Sequence, residues 1–460
     1  MPEIGSRLRL LHAIHDFLPR HRAGSELYAL DLSRELTRSH HVTILAAEYD
    51  PARAHGQVAW RVQDGIPVAE LVNNWIAGSF ADTYGSPVIT EQLGRLLDVV
   101  QPDILHVHSL LNLSFDLPTL AHARGIPVVA TLHDYTLVCA SGGQRVHRAD
   151  DYLCATIDPE RCARCFRESP FYPQIAAGNI SNVTGLGRTL KSAAGALARR
   201  APRLTRSVAN AAAHNAAVHV TTSDIDTRLD RARAVFEEID LFVAPSRSIA
   251  DEFERLGLRR SKIRVSDYGF LPFDPVNERP VSGPLRIGFV GTLVSHKGAH
   301  ILIDAVRALP SRAYELKIFG DERVFPDYSA QLRKDATGLP VRFEGAFDHD
   351  RTAQVFASID VLVVPSLWPE NSPLVIREAF MAGVPVVGAR IGGIAELVTD
   401  GENGLLYEPR STSGLTEALN TLISDRSRLA TFAQRIPPVK SMETHACEWE
   451  AIYHDLLLQP

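Results

Sequence analysis

The chain has 460 residues, of which 45% are apolar, so it is long enough for two or three domains with full hydrophobic cores and is not disordered. Its 48 basic and 54 acidic side chains give a net charge of −6, which argues against a dedicated nucleic-acid binder because no excess of positive charge attracts a phosphate backbone. The apolar run before Asp16 is too short for a signal peptide, and no eighteen consecutive residues are apolar. We therefore expect a cytoplasmic protein that touches a membrane at most at its surface.

Short apolar runs rich in valine and isoleucine, each followed by a helical pattern, recur along the chain. Continuous apolar strands that alternate with helices are typical of a parallel sheet covered on both faces. The predicted strands are Leu8–Ile14, His41–Ala47, Asp103–His108, Ile126–His133 and Asp240–Ser246, followed by Leu285–Gly291, Glu315–Gly320, Asp360–Ser366 and Val384–Gly388. The sequence therefore predicts an α/β fold with two doubly wound parallel sheets.

The segment Phe270–Pro284 is rich in proline and separates the first five predicted strands from the last four. We predict an N-terminal domain over residues 1–275, a C-terminal domain over 285–440 and a terminal helix over 445–460 that packs on either domain. Two such Rossmann-like domains are expected to face each other across a cleft at the carboxyl ends of their strands, where open α/β sheets bind ligands.

Candidate ligand contacts in the first domain follow its predicted strands. Gly24 allows a close approach of the backbone, and Arg20 either meets an anionic acceptor or is simply solvated. His108 and His133 each close a strand, His133 within the run Thr131-Leu-His-Asp-Tyr. A histidine at a strand end is a candidate ligand contact, and a satisfied core histidine is the alternative.

A cysteine cluster over residues 139–165 follows the His133 strand directly. It comprises Cys139, Cys154, Cys162 and Cys165, and its C-x2-C pair with two further thiols suits a tetrahedral zinc held by four sulfurs. We expect a structural zinc here. An iron–sulfur cluster, reversible disulfides and four unrelated thiols remain the alternatives, because Cys-x7-Cys is not a standard spacing.

Residues 169–223 contain no aspartate or glutamate, and their basic residues concentrate in the segment 186–206, where leucines recur at helical spacing. This pattern predicts a basic amphipathic helix inserted in the first domain. Such a helix is either solvated or able to contact an anionic membrane or an acidic acceptor.

The second domain opens with a strand and a glycine loop. Gly291 lets the backbone approach a ligand, and Lys297 can place its ammonium group against a diphosphate. The stretch 363–385 is the most informative in the chain. Ser372 and Pro373 have the residue types of a helix N-cap and first helical position, so the N–H groups of Leu374 and Val375 are expected to point into the cleft and favour a phosphate.

Two glutamates flank this predicted helix start. Glu370 lies just outside it, and Glu378 lies about one and a half turns inside, among apolar residues. A carboxylate buried there needs hydroxyl donors, such as the diol of a ribose or hexose.

With this Glu-x7-Glu spacing, the sequence resembles the family 4 retaining glycosyltransferases of GT-B fold, most specifically between Leu285 and Tyr407. The resemblance implies that Glu370 contacts the hydroxyls of the donor sugar, that Glu378 holds the nucleotide ribose, and that Lys297 stabilises the diphosphate. It further implies donor contacts from Asn371 and Ser372, a nucleobase contact near Gly345, and a contact of His133 with the donor hexose. The sequence departs from the family at Thr292, where the family has an arginine, and at Ala23, where it usually has a second glycine.

The resemblance implies transfer of a hexose from a nucleotide-diphosphate sugar to a glycan or lipid-linked acceptor, with retention of configuration and without a catalytic metal. Asp224-Ile-Asp226 and Asp348-His-Asp350 have the Asp-x-Asp form that binds a metal in another glycosyltransferase fold, but the twin strand-helix domains argue against that use. A nucleotide-sugar epimerase of similar fold and a non-catalytic sugar-nucleotide or glycan binding protein are the alternative functions. No residue in the sequence identifies the sugar, the base or the acceptor.

Overall fold

The structure of the chain is a computed structural model that describes residues 7–147, 152–184, 218–273 and 283–458. The chain divides into two compact units. The first comprises Met1–Ala244, Phe253–Arg264 and Ala446–Pro460, and the second comprises Pro245–Glu252 and Val265–His445.

An eight-stranded sheet forms the centre of the first unit, as far as the chain is described. Its strands are β1 (Arg9–Ile14), β2 (His41–Glu48), β3 (Val58–Gln63), β4 (Ile66–Val72), β5 (Ile104–Val107), β6 (Val128–Thr131), β9 (Leu241–Ala244) and β10 (Ile263–Val265); β7 (Val146–His147) and β8 (Tyr152–Leu153) form a separate hairpin. The spatial order is β10-β9-β6-β5-β1-β2-β4-β3, and the pairs from β9 to β4 are parallel. Strand β1 is buried on both faces, as the continuous apolar run predicts.

The antiparallel hairpin of β3 and β4 was not among the predicted strands. Asp64 and Gly65 form its turn, with φ values of 52° and 83°. An Asp-Gly pair between two alternating runs is a strong hairpin signal, so the sequence did contain the information.

Helices cover the sheet of the first unit. They are Gly24–Leu36, Asp82–Gly85, Pro87–Val100, Leu117–His122, Pro159–Arg167, Phe171–Thr184, Thr222–Glu238 and most of the terminal helix Met442–Leu458, and Arg247–Arg255 contributes its last residues. The predicted basic helix at 186–206 lies outside the described residues. Helix Thr222–Glu238 begins with a capping box, in which the Asp224 backbone N–H donates to Thr221 Oγ1 and the Thr221 backbone N–H donates to Asp224 Oδ2. Asp224, the first residue of the Asp224-Ile-Asp226 motif, therefore caps a helix.

The terminal helix packs within the first unit from Ala446 onward. Trp449 is 1% exposed and donates from Nε1 to Tyr28 Oη at 3.0 Å, and the hydroxyl of Tyr453 lies 2.8 Å from His106 Nδ1. Every helix among the described residues falls short of the length and apolarity that crossing a bilayer requires.

The boundary between the units differs from the predicted one, which placed residues up to 275 in the first domain. The structure assigns Val265 and the residues after it to the second unit. The backbone N–H of Phe270 donates to the Lys440 carbonyl at 3.0 Å, and the Phe270 carbonyl accepts from the Met442 backbone N–H at 2.8 Å. These bonds hold the start of the proline-rich segment on the second unit.

Over its described residues, the second unit has a six-stranded parallel sheet in the order β13-β12-β11-β14-β15-β16. The strands are β11 (Leu285–Val290), β12 (Tyr314–Phe319), β13 (Val341–Gly345), β14 (Val361–Val364), β15 (Val386–Ala389) and β16 (Gly404–Tyr407). Val361 and Val363 belong to one buried cluster and Leu362 and Val364 to another, so both faces of the sheet are covered. Two such units are the doubly wound architecture that the sequence predicts.

The helices of the second unit are Ala299–Arg307, Pro326–Asp335, Thr352–Ala357, Leu374–Met381, Gly392–Leu397, Thr412–Ser424 and Ser427–Gln434, together with the first residues of Arg247–Arg255 and of Met442–Leu458. Short 3-10 turns at Ser295–Lys297 and His349–Arg351 precede two of them, and Arg260–Lys262 forms a third such turn in the first unit.

Candidate active site

Glu370 is a buried carboxylate in the loop that follows β14, and it is only 5% exposed. Its Oε1 accepts hydrogen bonds from Lys297 Nζ at 2.6 Å and from Ser366 Oγ at 2.8 Å. Lys297 ends the 3-10 turn that follows β11. Because β11 and β14 are neighbours in the sheet, their carboxyl ends bring together two residues that are 73 positions apart in sequence.

The charge of Glu370 is maintained by its partners. Burial favours a higher pKa for this carboxyl, but the Lys297 ammonium and the hydrogen bonds from Lys297 and Ser366 outweigh burial, so the pKa of Glu370 is lowered. The side chain of Lys297 is 29% exposed, and its Nζ lies 5.5 Å from the centre of the Trp368 ring. The pair thus consists of an ionised, buried carboxylate and an ammonium group that an incoming anion can reach.

Two glycines support the backbone of the Glu370 loop. The Gly393 N–H donates to the Glu370 carbonyl at 2.6 Å, and a Cβ at Gly393 would lie 2.0 Å from the Asn371 carbonyl oxygen. At Gly392 a Cβ would lie 2.7 Å from the Glu370 carbonyl oxygen. Glycines at the first two positions of helix Gly392–Leu397 are therefore required by a close backbone approach.

The helix after the Glu370 loop begins at Leu374 and has Pro373 at its N-cap position without a side-chain cap. The prediction that Ser372 caps this helix is wrong. Ser372 lies one residue before the N-cap, and its Oγ donates to Asp267 Oδ1 at 2.8 Å, a carboxylate that also pairs with Arg377. The first-turn N–H groups of Leu374 and Val375 have no acceptor within the helix, as at every helix start.

Glu378 lies on the same helix but is less buried than predicted. Its side chain is 17% exposed, and its Oε1 lies 4.0 Å from Nδ1 of His349, a partly exposed residue. Ile376, Ala379 and Phe380 form the buried face of this helix, so the spacing turns Glu378 away from the core.

Glycines meet at the ends of three neighbouring strands, β11, β12 and β13. The Gly291 N–H donates to the Phe319 carbonyl at 3.0 Å, and the Gly320 N–H donates to the Gly345 carbonyl at 2.9 Å. A Cβ at Gly320 would lie 2.4 Å from the Gly291 carbonyl oxygen, so Gly320 belongs to this contact although it was not predicted as a site residue. Thr292, which stands where the resemblance leads us to expect arginine, is exposed.

In the first unit, His133 and His108 meet, as neighbouring strand ends allow. His133 Nε2 lies 3.0 Å from His108 Nδ1, and His108 Nε2 lies 3.3 Å from His12 Nδ1. His106 stacks on His108 with ring centres 4.2 Å apart. The sequence did not single out His12, but His12 and His106 occupy paired positions on β1 and β5, a register that only the sheet order reveals.

Three of these histidines, His12, His108 and His133, are neutral. Burial lowers the pKa of His12 and of His133 to about 3, and it lowers the pKa of His108 well below its usual value. Among the described residues, the nitrogens of His12, His106 and His108 lie within 4.8 Å of one another. All of these nitrogens except Nε2 of His12 have hydrogen-bond partners, since His106 bonds to Thr131 at 2.8 Å and to Tyr453, so this arrangement is a hydrogen-bonded core.

Arg20 and Gly24 lie in the loop after β1. Arg20 is about half exposed, and its Nη1 donates to Oε2 of the fully buried Glu48 at 3.1 Å. Gly24 is exposed at the start of helix Gly24–Leu36, which has no side-chain cap. Arg20 therefore has a structural partner in addition to any ligand contact.

The four cysteines of the predicted cluster are free thiols. Burial, with the neighbouring thiols, raises the pKa of Cys154 and of Cys162 to about 11. The thiols of Cys139 and Cys165 contribute to raising both of these pKa values, so the four predicted cysteines lie near one another in the structure. In the arrangement of the described residues, the four thiols do not come close enough together to form a ready metal site, unlike the histidine nitrogens.

Arg228 lies beside this cluster and is 5% exposed. It donates to the Leu137 carbonyl at 2.9 Å and to the Thr136 carbonyl at 2.6 Å, in the segment between His133 and Cys139. Burial lowers the pKa of Arg228 to about 10, and the thiols of Cys139 and Cys162 oppose that shift.

Two family models match the chain, one in each unit. Residues 22–158 match Glycosyltransferase Family 4, and residues 284–425 match Glycosyl transferases group 1. The second match contains Lys297, Glu370 and Glu378.

Curated relatives align with about half of the chain or less. The chain is 31% identical over 225 residues to glycogen synthase of Mycobacterium tuberculosis, an alignment that covers 47% of this chain and 52% of that protein. It is 32% identical over 235 residues to a sulfoquinovosyl transferase of Arabidopsis thaliana, covering 48% of this chain and 44% of that protein. The chain thus spans about half the length of these relatives.

Solved structures resemble the chain over nearly its full length. Sucrose-phosphate synthase from Thermosynechococcus elongatus has a TM-score of 0.66 at 17% identity and covers 98% of this chain and 99% of that one. HepE of Anabaena, in complex with UDP and glucose, has a TM-score of 0.60 at 19% identity and covers 98% and 100%. These likenesses establish the GT-B fold.

Proposed function

We propose that this chain, which carries glycosyltransferase sequence in both of its units, is a family 4 retaining glycosyltransferase that transfers a hexose from a nucleotide-diphosphate sugar to an acceptor hydroxyl. The observation that carries the proposal is the buried Glu370 carboxylate, kept ionised by Lys297 and Ser366 beside a helix N-terminus. An ionised carboxylate accepts hydrogen bonds from sugar hydroxyls, while an ammonium group and helix N–H groups attract a diphosphate.

The reaction needs positioning and charge stabilisation more than covalent catalysis by the protein. The acceptor oxygen forms a bond to the anomeric carbon of the hexose as the bond to the diphosphate oxygen breaks on the same face. The electron pair of the broken bond stays with the diphosphate, which also takes the acceptor proton. Lys297 and the N–H groups of Leu374 and Val375 stabilise the departing negative charge, so the proposed reaction requires no catalytic metal.

The remaining site residues bind the donor. Glu378 accepts hydrogen bonds from the ribose hydroxyls, and its partly exposed position leaves it reachable. The glycines at the ends of β11, β12 and β13 let the nucleotide approach the backbone. In the first unit, His133 contacts a hydroxyl of the donor hexose, and Gly24 and Arg20 belong to the acceptor or phosphate side. His108, which was predicted on that side, is 3% exposed and bonds to His133, so it acts there through His133.

The substrate classes follow from the relatives by analogy. The HepE structure contains UDP and glucose, so UDP-hexoses are the first donors to test. Glycogen synthase and the sulfoquinovosyl transferase suggest polysaccharide or glycolipid acceptors. The free thiols support a cytoplasmic location, where cysteines stay reduced. Contact of the segment 186–206 with a membrane stays a prediction.

The experiment combines a screen with matched variants. Thermal stabilisation by a panel of nucleotide sugars identifies the donor, and nucleotide release with a mixed acceptor pool then measures transfer. We expect Glu370→Ala to abolish turnover and Glu378→Ala chiefly to weaken nucleotide binding, while Glu408→Gln, whose side chain is 77% exposed, serves as the control. Rates like those of the unmodified protein in both Glu370 and Glu378 variants would refute the assignment.

The same assay separates the alternatives. An epimerase would convert the donor sugar without an acceptor, which product analysis detects. A binding protein would bind the donor without releasing nucleotide. The anomeric configuration of the product, read by NMR, tests retention, and unchanged turnover in the presence of a chelator tests metal independence.

We further propose that Cys139, Cys154, Cys162 and Cys165 hold a structural zinc. The support is the donor set and the buried Arg228, whose positive charge suits an anionic tetrathiolate centre. Metal analysis of freshly purified, reductant-treated protein should give about one metal ion per chain. Well under one zinc or iron per chain would exclude this proposal.

A further inference from the structure

A chain of hydrogen bonds runs inward from His133. Nε2 of His133 lies 3.0 Å from Nδ1 of His108, and Nε2 of His108 lies 3.3 Å from Nδ1 of His12. Ser33 Oγ lies 3.0 Å from the same Nδ1 of His12. His12 is fully buried and His108 is 3% exposed, so water does not compete for these bonds.

The inner end of this chain fixes where the hydrogens lie. Nε2 of His12 is buried and has no hydrogen-bond partner among the described residues. A buried N–H group without an acceptor is rarer in proteins than an unused acceptor, because the lost hydrogen bond is not replaced. A neutral imidazole carries one hydrogen, so the hydrogen of His12 lies on Nδ1.

The position of the hydrogen in His12 determines the hydrogen positions in His108 and then in His133. Two N–H groups cannot face each other across 3.3 Å, so Nε2 of His108 carries no hydrogen and its hydrogen lies on Nδ1. The N–H group at Nδ1 of His108 then donates to Nε2 of His133. His133 must therefore carry its own hydrogen on Nδ1.

We propose that His12 and His108 are positioning residues that hold His133 as its Nδ1–H tautomer. The consequence for catalysis rests on the proposed function: the N–H group at Nδ1 donates to a hydroxyl oxygen of the donor hexose, and a ring in the other tautomer cannot do so. His12 and His108 determine which ring nitrogen of His133 carries the hydrogen. They do not need to touch the substrate to do so.

The direct test measures the tautomers in the full-length protein labelled with [15N]histidine. Long-range proton–nitrogen correlations at neutral pH distinguish protonated from unprotonated ring nitrogens, and single-histidine variants assign the signals. We expect hydrogen on Nδ1 and a bare Nε2 in His12, His108 and His133. Hydrogen on Nε2 of His133 in the unmodified protein overturns the proposal, whether or not any variant folds.

Variants of His12 supply the matched comparison. His12→Leu removes the donor at the inner end, so we expect His133 to populate both tautomers. His12→Asn places an amide N–H group where Nδ1 lies, so it should retain the Nδ1–H form of His133. A His12→Leu protein with His133 still wholly in the Nδ1–H form would show that the inner residues do not control it.

Kinetics with the identified donor then connects the tautomer with transfer. If His12→Leu leaves about half or less of His133 in the competent tautomer, the apparent donor affinity should fall about two- to fivefold, and His12→Asn should restore it. Altered tautomers with unchanged kinetics would contradict the catalytic consequence. A protein that transfers no sugar at all would refute the proposed function, while the NMR result would still decide the tautomer.

Discussion

The Lys297–Glu370 pair of the second unit and the histidine chain of the first unit bury ionisable groups in opposite ways. Glu370 keeps its charge, because an ammonium group and a hydroxyl group replace the water that burial removes. His12, His108 and His133 are neutral instead, because burial lowers the pKa of each ring, and they bond to one another without a net charge. Both arrangements form where parallel strands end or pass one another.

The contrast separates two chemical tasks. A retained charge can act on a charged ligand, so the second unit offers an electrostatic site for a sugar diphosphate. Neutral rings in a fixed order offer hydrogen-bond direction without charge, which suits recognition of hydroxyl groups. The predictions below test whether each arrangement behaves as its electrostatics require.

Removing Lys297 should have the largest effect. Lys297→Met leaves the buried Glu370 carboxylate without its cation, so we expect turnover to fall by about 10²–10³-fold and stability to fall by about 3–5 kcal/mol. The double variant Lys297→Met/Glu370→Gln should recover most of the stability and none of the activity. Kinetics and denaturant unfolding measure the two effects, and a stable, active Lys297→Met protein would contradict the pairing.

Acid should act on the two arrangements in different pH ranges. The unfolded histidines take up protons below about pH 6.5, whereas folded His12 and His133 resist protonation down to about 3. The unfolding free energy should therefore fall with falling pH through this window, by about 1.4 kcal/mol per pH unit for each histidine. The stabilisation from Glu370, whose pKa is lowered from 4.5, should be lost only below that value. Unfolding curves between pH 7 and pH 4 test this order, and His12→Leu should reduce the slope.

The close packing of Gly393 against the Glu370 loop should be needed for the Lys297–Glu370 site. Gly393→Ala places a methyl group against the Asn371 carbonyl, so we expect a loss of about 1–3 kcal/mol together with reduced turnover. Gly94→Ala in helix Pro87–Val100 is the control, because the nearest atom, 3.4 Å away, ends the flexible Arg124 side chain. Thermal unfolding and donor kinetics compare the two variants, and equal behaviour would show that the loop tolerates the displacement.

Ser372 should matter least. Ser372→Ala removes one hydrogen bond to Asp267, which keeps its pairing with Arg377, so we expect a loss of about 1 kcal/mol and little change in turnover. A large loss of activity would show that Ser372 contacts the donor directly. Side-by-side kinetics with Glu370→Ala distinguishes these outcomes.

Much of the fold and of the second-unit site could be predicted from local sequence. Continuous apolar strands separated by helical patterns indicate a covered parallel sheet, and the buried Val361–Val364 strand fits that pattern. The Glu-x7-Glu spacing and the glycine loop placed Glu370, Glu378 and Lys297 near strand ends. The predicted cap at Ser372 failed because the helix takes Pro373 as its N-cap residue, and no local pattern shows the contact of Ser372 with Asp267, 105 residues away.

What the sequence determined by itself is therefore local: the period of each strand and helix, the residues at strand ends and the spacing of the two glutamates. Tertiary structure alone decided that Lys297 pairs with Glu370, that His12 joins His108 and His133, and that Tyr453 reaches His106 from 347 residues away. The physical reason is the order of strands in each sheet. Because β1 lies between β5 and β2, and β11 between β12 and β14, residues far apart in the chain become neighbours, and no local pattern encodes that order.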